Sequence, residues 1–121
     1  MPLAARDAQP EFWGWQGLFT EDTNKLGKWD RRGVLMKMGD DVIRVNMMTW
    51  PDKHDFRLRA EALRSAGRVG DILRIEQSDD SSYSYVVEVI PSDTSEYQQY
   101  LSMCTNSVSG GSLRKWGYYT L

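Results

Sequence analysis

Val34-Leu35-Met36-Lys37-Met38, then Gly39-Asp40-Asp41, then Val42-Ile43-Arg44-Val45-Asn46-Met47-Met48 is the stretch that decides the fold. Two apolar, partly alternating runs flank a short polar break that carries a glycine, and that spacing signals a β-hairpin. The pattern returns downstream, where Asp71 to Gln77 and Tyr83 to Ile90 have strand character and Ser78-Asp79-Asp80-Ser81-Ser82 makes the turn between them. Trp116 to Leu121 reads as a closing strand. Two segments break the rhythm. Within Arg57 to Ala66, Leu58, Ala62, Leu63 and Ala66 recur at helical spacing and Gly67 supplies a stop. Thr94 to Cys104 carries Tyr97, Tyr100 and Leu101 on one helical face. The expectation is a mostly β barrel or sandwich of about six or seven short strands with two short helices.

The chain has 121 residues, 40% of them hydrophobic, which suffices for one compact core and not for two. Met1 to Pro10 is small, polar and bounded by prolines, so residues 1–11 read as a flexible arm or linker and 12–121 as a single domain. Phe12 to Phe19 is dense in aromatics that require burial or a flat partner. The segment from Thr20 to Arg32 is polar and reads as a long connection.

Charge is more telling in its distribution than in its sum. The net charge is −2, and a protein that binds nucleic acid through global charge would be strongly basic. Yet every charged residue from Ile75 to Leu113 is an acid, whereas Lys53, Arg57, Arg59, Arg64 and Arg68 cluster before that span and Arg114 and Lys115 follow it. An acidic pole turned away from a basic one lets an acidic protein grip a polyanion locally. Cys104 is the single cysteine, so an internal disulfide is excluded and a reducing, cytoplasmic setting is expected. The sequence has neither a secretory core nor an apolar run of the ~20 residues needed to span a bilayer, so no membrane partner is expected.

Catalysis fits the inventory poorly. His54 is the sole histidine, distant in sequence from Cys104, and no serine sits in a glycine-flanked elbow. One histidine and one cysteine make a poor zinc set, Gly110-Gly111 lacks the Lys-Ser/Thr of a phosphate-binding loop, and no metal or cofactor is expected. Nucleic-acid binding uses more of the unusual residues. Trp50 to Arg59 brings together Lys53, His54, Arg57 and Arg59 beside a Pro51-marked turn, side chains suited to guanine edges and phosphates. Asp52, Asp55 and Glu61 are equally suited to neutralising them in surface ion pairs. Arg31-Arg32 and Arg114-Lys115 are basic doublets at expected strand entrances. Trp13 and Trp50 lie beside polar, proline-containing segments where either indole is placed to stack on a base or a sugar. Recognition of modified DNA or RNA, and a tryptophan-based site for carbohydrate or protein, remain alternatives.

In order and spacing the chain resembles the DNA-recognition domain of BfiI-like, phospholipase-D-type restriction endonucleases, a domain with the pseudobarrel fold of the plant B-three DNA-binding domains. The matching pieces are Phe12-Trp13, Asp30-Arg31-Arg32-Gly33, Arg44-Val45, Asp55-Phe56-Arg57-Leu58 with Leu63-Arg64, Gly70-Asp71-Ile72, Glu88-Val89-Ile90 with Thr94 and Glu96, and Arg114-Lys115-Trp116-Gly117-Tyr118. The resemblance implies sequence-specific binding of double-stranded DNA as the target-recognition part of a bacterial restriction system, without catalysis in this chain and with a nuclease domain as partner. Two loops of that family, the N-arm and the C-arm, grip the major groove. Carried over, Trp13 and Arg32 belong to the N-terminal side of the grip, and Asp52, Lys53, His54 and Arg57 to the C-arm. Arg31, Trp50, Arg59, Arg64, Arg114 and Lys115 fall to the DNA backbone. Eleven residues precede Phe12, too few for the strand and polar arm that the family places there, so a shortened domain or a piece of a longer one is expected.

Overall fold

A computed structural model describes residues 1–50, 55–107 and 114–119. The hairpin stands at its centre. Strands β2 (Trp29–Met38) and β3 (Asp41–Trp50) pair antiparallel, with Met38 opposite Asp41 across the turn. Gly39 adopts φ 62°, the left-handed region that a tight hairpin turn requires and that a residue without Cβ enters at little cost. β1 (Thr20–Glu21) joins one end of β2, β4 (Asp55–Arg59) pairs with β3, and β5 (Ile72–Gln77) pairs with β6 (Tyr85–Ile90). The strand order is β4-β3-β2-β6-β5, with β2 and β6 parallel and every other neighbour antiparallel. This mostly β sheet curls into a half-barrel consistent with a pseudobarrel.

Alternation along the strands fills the concave side. Val34 faces Val45 and Met36 faces Ile43 across the hairpin, and Met36, Val45, Met47 and Phe56 are fully buried. Burying each such side chain stabilises the fold by about 1.5–3 kcal/mol. Against them pack Leu3, Trp13 and Phe19, so the N-terminal segment closes the open side of the sheet. Phe56 meets Trp13 edge-on at 5.2 Å between ring centres.

The structure revises several expectations. Residues 1–11 are not an unattached arm: α1 (Leu3–Ala8) and the start of α2 (Pro10–Trp13) form there. Leucine, alanine and arginine favour helix, and Pro10 occupies the first turn of α2, where its missing N–H is no loss. Arg6 is buried, donates from Nη1 to Thr49 Oγ1 at 3.0 Å and lies 3.9 Å from the Trp15 ring. The helix expected over 57–66 begins only at Glu61, as α3 (Glu61–Ala66), because β4 takes Asp55 to Arg59. Phe56 is buried, Arg57 exposed, Leu58 half-buried and Arg59 exposed, a period of two that pairing with β3 enforces over the helical spacing of the leucines and alanines. α4 (Tyr97–Met103) forms inside the expected segment. The closing strand reduces to β8 (Lys115–Trp116), paired with β7 (Asn106–Ser107), while Tyr118 and Tyr119 are outside any strand. Among the described residues there are thus eight strands, three of only two residues, and four short helices. None of these helices is long and apolar enough to cross a membrane.

One side chain of the C-terminal region ties it to β5. Tyr119 donates to Glu76 Oε2 at 2.6 Å, and burial together with that carboxylate pushes the phenol pKa up. Gly117 passes against α4, where a Cβ would stand 2.8 Å from the Met103 carbonyl carbon and closer still to its oxygen. Only glycine fits this approach.

Candidate nucleic-acid interface

The convex face of β2, β3 and β4 gathers the basic side chains, and strand register decides which ones. Residues opposite each other in an antiparallel pair share a face. Phe56 and Leu58 of β4 lie opposite Thr49 and Met47 on the inner face, so Arg57, opposite Met48, and Arg59, opposite Asn46, point outward. Arg44, opposite Leu35, joins them from β3. All three arginines are exposed. Positions two apart on one strand are separated by about 7 Å, so Arg57 and Arg59 form a row along β4 with Arg44 on the neighbouring strand.

A β-bulge separates the Arg31-Arg32 doublet. Arg31 opposes Met47 and Val34 opposes Val45, leaving Arg32 and Gly33 against the single residue Asn46. Gly33 has φ 66° and donates its N–H to Asn46 Oδ1 at 3.0 Å. Arg31 therefore falls on the inner face. Its Nη1 donates to the Trp13 carbonyl and to Tyr85 Oη, both at 2.8 Å, and the Tyr85 hydroxyl donates onward to the Phe12 carbonyl. Burial pushes the Tyr85 phenol pKa up, with Arg31 opposing that rise. Arg32 turns outward, its side chain 70% exposed, with one long contact of 3.4 Å to Asp30 Oδ2.

Trp50 ends the outer row. The Arg57 guanidinium lies 5.4 Å and the Lys28 ammonium 5.6 Å from its ring centre, distances at which the ring quadrupole attracts a cation. Lys28 is held between Asp22 at 3.7 Å and Asp30 at 3.6 Å. Asp22 in turn has its pKa lowered, first by the Asn24 backbone N–H. Asp22 and Asp30 of this corner thus attach to Lys28, and Asp30 also to Arg32.

No protein-family model, curated protein or solved structure matches this chain. The assignment of each candidate residue rests on geometry.

Trp13 is withdrawn as a base contact: it is 6% exposed and its Nε1 donates to the Ala5 carbonyl, because the aromatic run it begins is core. Arg31 is withdrawn as a phosphate contact, since the bulge turns it into the Trp13–Tyr85 network. Arg32, Trp50, Arg57 and Arg59 are brought to one region of the sheet. Arg64 is exposed on α3, 3.8 Å from the equally exposed Glu61. Arg114 and Lys115 are also exposed, but Tyr119 ties their segment to β5, at the opposite edge of the sheet from β4. Asp52, Lys53 and His54 lie outside the described residues. Arg44 is the addition, and its signal was present in the alternation: it stands one residue before buried Val45, on the opposite face.

Proposed function

We propose that this chain binds double-stranded DNA in a sequence-specific manner, as the target-recognition domain of a bacterial restriction system working with a nuclease domain in the cytoplasm. The observation that carries the reading is the outward arginine set from β2, β3 and β4 beside Trp50, on a protein whose net charge is acidic. Arginine on a rigid sheet presents a planar fork of donors matched to phosphate oxygens and to the major-groove edge of guanine. In this reading Arg57, at the end of the row where the chain continues into residues 51–54, contacts base edges. Arg44 and Arg59 follow the phosphates. Burial of Trp13 and the cations around Trp50 weigh against a carbohydrate site built on stacked indoles.

The test is fluorescence-anisotropy binding to a randomised duplex library at two salt concentrations, with the bound fraction sequenced. An enriched short motif and a steep fall in affinity with salt are expected. Arg57→Ala should then weaken binding to the enriched site by about 1–3 kcal/mol, the range of one bidentate base contact. Equal retention of all sequences, or a variant that binds its best site as well as the parent, would remove the base-reading role.

A further inference from the structure

We infer that a gap in the sheet beside β2 is a seat for a single phosphate-type oxyanion. Along one edge β2 pairs with β3, while the other edge pairs with β1 only at Trp29 and Asp30 and with β6 only from Met36 to Met38. Between these, Arg31 to Leu35 face no strand among the described residues. The Ser84 N–H closes one end by donating to the Leu35 carbonyl at 2.8 Å. The resulting depression has a volume near 270 Å³ and is lined by Arg31 to Leu35 and by Ser81 to Ser84. At ~30 Å³ per water, it admits a hydrated tetrahedral anion.

Its chemistry favours negative charge. Arg32 lines it with an exposed guanidinium, and Arg44 reaches over from β3, its Nη1 standing 3.3 Å from where a Cβ on Gly33 would be. Gly33, held at φ 66°, keeps the floor between them clear. Ser81, Ser82 and Ser84 are exposed residues of the facing side. Asp80 on that loop accepts the Ser82 N–H at 2.8 Å and a hydrogen bond from the Ser82 hydroxyl, and Lys37 offsets its charge. A second, larger depression on the other side of Arg32 is lined by Glu21, Asp22 and Asp30 and would repel the same anion. Arg32 lines both depressions, and of the two only the serine side has no acid in its lining.

The occupant is a phosphate group, and its assignment to the DNA backbone rests on the reading proposed above; free phosphate is the other source. Inorganic phosphate, titrated into the intact chain at constant ionic strength and followed by amide NMR, should give saturable shifts at Gly33, Ser82 and Ser84. The shifts should vanish in Arg32→Gln/Arg44→Gln, whose remaining spectrum reports an intact fold, and shrink in Ser82→Ala/Ser84→Ala. Absence of saturation, or shifts unchanged in the arginine pair variant, would overturn the seat. With duplex DNA, the arginine pair variant should bind all sequences more weakly and show a salt slope shallower by roughly 0.9 per lost phosphate contact. Phosphate saturation with unaltered duplex binding in the variant supports the seat and assigns it to free phosphate. Phosphate saturation in a parent chain that binds no duplex supports the seat and refutes the DNA reading.

Discussion

Replacing the neighbours Arg31 and Arg32 one at a time by methionine should separate folding from binding. Arg31→Met keeps most of the aliphatic stem but removes two charged hydrogen bonds, to the Trp13 carbonyl and to Tyr85 Oη. Hydrogen bonds to a charged group contribute about 1.5–3 kcal/mol each, and an acceptor left buried without a donor adds to the loss. Arg31 is only half-buried, so water compensates in part, and we expect a net loss of ~2–4 kcal/mol. With a urea m-value near 2 kcal/mol/M, the midpoint should fall by about 1–2 M. Arg32→Met removes an exposed side chain with one long contact, and its stability should stay within about 0.5 kcal/mol of the parent. Duplex binding, measured under conditions where both variants are folded, should weaken for Arg32→Met and not for Arg31→Met. If Arg31→Met unfolds at the parental midpoint, or Arg32→Met falls as far as Arg31→Met, the division of the doublet by the bulge is incorrect.

Further predictions concern the loops and the C-terminal region. Gly117→Ala drives a Cβ into the Met103 carbonyl, and since backbone must move it should cost more than about 2 kcal/mol in urea unfolding; a neutral result would contradict the close approach of Gly117 to the end of α4. Asp71 accepts the Arg68 N–H at Oδ2 and the Ser92 N–H at Oδ1, and these bonds, Arg68 first, hold its pKa below the ordinary 3.8. A lowered folded pKa means that the stability it contributes is present above 3.8 and lost as pH falls through the folded value. Asp71→Asn should therefore be less stable than the parent at neutral pH and approach it at strongly acid pH in thermal melts, and a stability difference independent of pH would exclude the carboxylate as the cause. Duplex affinity should fall more steeply with salt for the parent than for Arg44→Ala or Arg59→Ala, while parallel slopes would place the phosphate contacts elsewhere.

Much of the sheet was legible in local pattern. The runs around Gly39-Asp40-Asp41, and those around the Ser78–Ser82 turn, alternate with a period that only a half-buried strand satisfies, and β2, β3, β5 and β6 formed there. The misreadings came where short segments suit two periods. Leu58, Ala62 and Leu63 match a helix, yet Phe56 and Leu58 can enter the core only as alternate residues of a strand beside β3. The N-terminal residues looked like a linker because their composition is small and polar, and their helix exists through what it packs on, with Arg6 reaching Thr49 across 43 positions of sequence.

By itself the sequence determined a mostly β domain, its two principal hairpins, an acidic stretch from Ile75 to Leu113 flanked by cations, and the types of side chain suited to phosphates and base edges. Local period and residue chemistry are properties of the chain and need no partner element to be read. The tertiary structure decided which cations reach solvent together. Strand register and the Arg32–Gly33 bulge sent Arg31 to Tyr85 and brought Arg44 to Arg57 and Arg59, while burial took Trp13 into the core. A slip of one residue in a strand exchanges its two faces, so only the assembled sheet could make that choice.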